Sequence, residues 1–110
     1  MRTLAQKIKR YSREHQVEEH ELEADEDGHS ARVYFDRPEY TVTITVCRLQ
    51  DERPLKQICR HTWLPYCFCL LEEPKDGGTE TFTVCGGAAT PGRALKWGLE
   101  ALAGIDGAHK

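Results

Sequence analysis

The sequence predicts an α+β domain: a two-layer sandwich with an N-terminal and a C-terminal helix on one face of an antiparallel sheet of four to five strands. Three observations carry this. Apolar residues recur at helical spacing only near the two ends of the chain. Period-two alternation of β-branched and aromatic residues fills the middle. Turn residues separate the alternating runs by short connections, which favours antiparallel pairing.

Thr3 caps the first helix, expected over residues 3–15. Leu4, Ile8 and Tyr11 form its apolar stripe, and Lys7, Lys9, Arg10 and Arg13 fall largely off it. An acidic segment follows at 18–27, with Glu18, Glu19, Glu21, Glu23, Asp25, Glu26 and Asp27 and no basic residue. Glutamate extends helices well, so the segment is open between more helix, a loop and an irregular edge strand. As chemistry it reads as solvated and mobile.

The strand meander is expected over 30–85. Ala31, Val33 and Phe35 alternate with polar residues, and Arg37-Pro38-Glu39 breaks the run. Tyr40, Val42, Ile44 and Val46 then alternate with Thr41, Thr43, Thr45 and Cys47. Residues 55–63 and 66–72 read as two further strands around Leu64-Pro65, and 79–85 as the last. Val33, Phe35, Val42, Ile44, Val46, Phe68, Leu70, Phe82 and Val84 are expected to face the helices, with Thr41, Thr43, Thr45, Thr81 and Thr83 on the open face. Gly86-Gly87 releases the chain into a second helix at 91–103, capped by Thr90 with Pro91 at its first position. Ala94, Leu95, Gly98, Leu99 and Leu102 make its stripe, Gly104 stops it, and residues 105–110 fray.

With 110 residues the chain makes a single domain, 1–110. No run of about 18 apolar residues is present, so no membrane span is expected. The basic N-terminus lacks an apolar segment after it, which argues against secretion and for a cytoplasmic protein with its five cysteines reduced. A net charge of -3 argues against direct nucleic-acid binding. The element order is similar to a double-stranded-RNA-binding domain, but only Arg93 and Lys96 stand at the start of the last helix, and that function is not carried over.

Cys59, His61, Cys67 and Cys69 are zinc-type ligands. Cys67 and Cys69 in one strand lie roughly 7 Å apart, wide for one zinc with Zn–S bonds of about 2.3 Å. Strand register around Leu64-Pro65 decides whether the four can meet. No metal site and no cofactor are assigned on this basis. His15 and His20 bracket a near-miss of an inverted zincin motif, but their spacing turns them apart on a helix. No nucleophile elbow, phosphate loop or paired catalytic carboxylates occur, so no catalytic residue is named and no enzyme activity is expected.

Thr90-Pro91-Gly92-Arg93-Ala94-Leu95 after a Gly-Gly strand exit resembles the tails of small phage-encoded orphan proteins. The small, acidic, motif-free profile is similar to phage inhibitors of bacterial defence systems, including anti-CRISPR proteins. That resemblance implies an inhibitor of a CRISPR-like ribonucleoprotein and transfers no functional residue. The expected function is thus a non-enzymatic module that binds a protein or ribonucleoprotein through a charge-polarised surface. Lys9, Arg10 and Arg13 would bind from the helix, and Glu18, Glu19, Glu21, Glu23, Asp25, Glu26 and Asp27 from the acidic segment. The alternative is a homo-oligomeric or zinc-stabilised scaffold, with a homodimer through the Thr41, Thr43 and Thr45 face.

Overall fold

The computed structural model describes residues 3–26, 28–48 and 65–110. Among them the expected α+β sandwich is present. Helix α1 spans Leu4–Glu14, and strands β1 (Glu21–Ala24), β2 (Ser30–Asp36), β3 (Tyr40–Arg48), β4 (Tyr66–Pro74) and β5 (Thr81–Ala88) follow. Helix α2, Pro91–Ala108, closes the chain. The five strands form one antiparallel sheet in sequence order. Both helices lie on one face: α1 packs on β1, β2 and α2, and α2 packs on β3, β4 and β5.

The start of α1 is a reciprocal capping box. The Gln6 N–H donates to Thr3 Oγ1 at 3.1 Å, and the Thr3 N–H donates to Gln6 Oε1 at 2.9 Å. Its end settles what the acidic segment does. The Val17 N–H reaches back to the Ser12 carbonyl at 2.9 Å and the Gln16 N–H to Arg13 at 3.4 Å, a Schellman stop. Gln16 occupies the left-handed position with φ 51°. A side chain there is strained where glycine is not. Gln16→Gly is therefore expected to raise the unfolding free energy by about 0.5–1 kcal/mol, read as an upward shift of the thermal midpoint. An unchanged or lower midpoint would count against the stop as described.

Released by this stop, the chain becomes the edge strand β1, with Leu22 opposite Val33 and Ala24 opposite Ala31. Residues 21–24 of the acidic segment are thus strand, the edge-strand alternative of the three that the sequence leaves open.

The core between sheet and helices contains Leu4, Ile8, Val33, Phe35, Val42, Ile44, Val46, Phe68, Leu70, Leu95 and Leu102, all buried. These follow the expected periodicities. The α2 stripe of Ala94, Leu95, Gly98 and Leu102 is buried as well.

Three expectations are corrected. Strand β5 runs to Ala88, so Gly86-Gly87 belongs to the strand and is not an exit loop. Its phase is also inverted. Cys67 pairs with Gly87 but Phe68 with Cys85, so β5 carries one extra residue at a bulge. A one-residue slip exchanges the faces of a strand. Phe82 consequently sits opposite Leu71, on the face away from the helices, and is 60% exposed; Val84 is placed opposite Cys69. Third, α2 does not stop at Gly104 but continues to Ala108, and residues 105–108 do not fray. The reason is tertiary: Asp106 is anchored by Arg37 and Tyr40 from the β2–β3 turn region. The expected strand 55–63 lies outside the described residues, and both edges of β4 are taken by β3 and β5.

Candidate functional site

Two features of the sheet carry chemistry: an acidic groove near its β1 edge and a buried thiol cluster on β3 and β4.

On α1, Lys9, Arg10 and Arg13 are exposed as expected. The Arg10 side chain is engaged by Glu14 one turn on, at 2.7 Å. The acids divide into two groups. Glu18 receives both Nη groups of Arg37, at 2.6 and 3.1 Å. Arg32 binds Glu23 at 2.6 Å and Asp25 at 2.7 Å. Tyr34 donates to Glu23 as well, and Ser30 donates to Asp25. The Arg32 hydrogen bond is the chief reason that Glu23 is held below the usual carboxylate range. These three acids are therefore tied into the fold by internal ion pairs and hydrogen bonds. Glu19, Glu21 and Glu26 are exposed and carry no ion pair among the described residues. Asp27 lies outside the described residues.

A groove of about 830 Å³ runs beside these acids. Glu18, Glu19, Glu21, Asp36 and Glu73 contribute carboxylates, with Tyr34, Phe35, Thr41 and Thr43 among its walls. Its one arginine, Arg37, is occupied by Glu18 and Asp106. Asp36 is paired with Lys75 at 2.7 Å, so the exposed Glu19 and Glu21 give this groove its negative character among the described residues. The threonine face is less open than expected. Thr43 is buried, Thr41 and Thr45 are half-buried, and Tyr34 and Leu71 flank Thr43 on the adjacent strands.

The thiol cluster lies on that same face. Cys47 is directly opposite Cys67, and Cys69 is opposite Thr45, so all three cysteines share the side of the sheet away from the helices. Their sulfurs lie within 4.8 Å of one another, and the residues are 3%, 0% and 6% exposed. Hydrogen bonding with Cys67, then with Cys69, and burial push the Cys47 thiol far above the ordinary range. Uncomplexed, the thiol is neutral.

Cys59 and His61, the expected neighbours of Cys67 and Cys69, lie outside the described residues. A strand at 55–63 beside β4 leaves no place for Cys47 there, whereas β3 itself pairs with β4. The available signal was parity: Cys47 continues the Thr41, Thr43, Thr45 phase, and direct β3–β4 pairing brings that phase onto Cys67 and Cys69. His15 and His20 do not converge. His15 stacks on Tyr11 with ring centroids 4.0 Å apart, and His20 lies against Phe35.

No helix among the described residues is long and apolar enough to cross a membrane. Comparison of the chain with protein-family models, with curated proteins and with solved structures finds no match.

Proposed function

We propose that the chain is a non-enzymatic protein-binding module whose acidic groove takes a basic segment of a protein or ribonucleoprotein. The observation that supports this is the pairing pattern around the groove. Arg37 is already neutralised by Glu18 and Asp106, while Glu19 and Glu21 at the groove remain exposed and unpaired among the described residues. Complementary potential of this kind selects partners and speeds their encounter. In its narrower form the proposal is a phage-type, anti-CRISPR-like inhibitor. There the acidic wall would occupy a cationic surface that otherwise holds phosphates of a guide or target strand.

The test uses Glu19→Gln/Glu21→Gln, which leaves the structural acids Glu18, Glu23 and Asp25 intact. The tagged protein is used to capture partners from bacterial lysate, and the affinity of the purified pair is then measured at two salt concentrations. The double variant should bind about tenfold more weakly, equivalent to roughly 1.4 kcal/mol, with an unchanged melting curve. Wild-type binding should weaken as salt screens the exposed charges. Binding indifferent to both changes would reject the groove. Phe82, exposed on the open face, supports the second reading, a homodimer through the Thr41, Thr43 and Thr45 face. Sedimentation that shows a dimer in wild type and a monomer in Phe82→Ser would select it.

A further inference from the structure

We infer that Cys47, Cys67 and Cys69 form a binding site for a soft thiophilic ion, Zn²⁺ or Cu⁺. The site is assembled across the β3–β4 ladder and is independent of the acidic groove.

Along β3 and β4 the helix-facing positions are filled by Val42, Ile44, Val46, Phe68 and Leu70, all buried. On the other face at the same level, the equally buried positions are three cysteines. A single buried cysteine is an ordinary small apolar residue. Three in mutual proximity, on two strands whose other face is packed with aliphatic and aromatic groups, form a preassembled donor set. Thiolates select zinc and cuprous copper over harder cations.

The geometry fits one ion. With metal–sulfur bonds of about 2.3 Å, ligand sulfurs lie roughly 4 Å apart in a three-coordinate site and slightly closer in a tetrahedral one. The observed separations, none above 4.8 Å, need to close by less than about 1 Å. The wide spacing of Cys67 and Cys69 along one strand is no obstacle, because distances between the sulfurs, not between the backbone positions, govern coordination. Cys47, opposite Cys67 on the neighbouring strand, supplies the third donor. Binding replaces the three thiol protons with one cation, and the protons leave to solvent.

The 110-residue chain is produced in zinc-supplemented and in copper-supplemented cultures and purified under a thiol-free reductant. Retained metal is quantified after gel filtration. In parallel, Cd²⁺ is titrated into metal-free protein and sulfur-to-cadmium charge transfer is followed in the ultraviolet. The expected result is about one ion per chain, saturation at one Cd²⁺ per chain, and loss of both signals in Cys47→Val. That substitution keeps the buried site apolar and filled. Cys69→Ala is the second variant should Cys47→Val fail to fold by circular dichroism. Zinc in the first culture identifies the Zn²⁺ form, and copper only in the second identifies the Cu⁺ form. Metal-free wild-type protein that gives no cadmium band overturns the proposal. So does metal that persists at wild-type stoichiometry in a folded variant, because the ligands would then lie elsewhere in the chain.

Discussion

Arg37→Ala will lower the unfolding free energy by about 2–3 kcal/mol. Arg37 donates two parallel hydrogen bonds to Asp106, at 3.0 and 2.8 Å, and two more to Glu18. Tyr40 adds its hydroxyl to Asp106, and His109 stacks on Tyr40 with ring centroids 3.9 Å apart. One guanidinium thereby joins the acidic segment, the β2–β3 turn and the last turn of α2. Its side chain is 19% exposed and that of Asp106 28%, so the pair is screened less than a surface bridge. Removal of the arginine leaves a half-buried carboxylate without its cation, which is the costly way to break such a pair.

The same contact carries a pH signature. The Arg37 hydrogen bonds hold Asp106 below the ordinary aspartate range, against the opposing effect of burial. A depressed folded-state pKa stabilises the protein fully above the unfolded value of about 3.9, and the contribution is lost as pH falls through the folded value. The gap between wild type and Arg37→Ala should therefore be largest near neutrality and narrow in acid. Urea unfolding at a series of pH values measures it. A gap that stays constant to the acid limit would show that the arginine acts through packing alone.

Gly98→Ala is expected to destabilise the fold by about 1–3 kcal/mol, although alanine is the better helix former. A Cβ at Gly98 would meet Ile44 Cγ2 at 2.7 Å and Cδ1 at 3.2 Å. Ile44 is fully buried in the central strand, so it has little room to yield, and α2 must lift from the sheet. Gly104 is the internal control. It lies in the same helix with nothing within 4 Å of an added Cβ. Gly104→Ala should stabilise by up to about 1 kcal/mol. Opposite shifts of the two thermal midpoints confirm that helix–sheet contact decides the sign. A stabilising Gly98→Ala would mean that the contact is looser than described.

Much of the fold was legible in local pattern. The capped α1, the β2 and β3 alternation and the α2 stripe each follow from spacing that a short window contains. The failures share one cause. The end of α2 is held by Arg37, 69 positions earlier in the chain, and no local signal at Gly104 reports that bond. The face occupied by Phe82 depends on one bulged residue several positions away, which alternation alone cannot register. The acids of the 18–27 segment looked alike in sequence. Which of them are paired among the described residues depends on which meet Arg32 and Arg37.

Local pattern alone carries the fold class, the two capped helices, the apolar faces of α1, β2, β3 and α2, and the opposed charge blocks. All of these are set by side-chain period and capping chemistry between near neighbours. Long-range contacts were needed for the direct pairing of β3 with β4, the phase of β5, the Arg37 junction and the meeting of Cys47 with Cys67 and Cys69. Those depend on strand register, which long-range pairing selects: in the β3–β4 ladder it places Cys47 beside Cys67, twenty residues later.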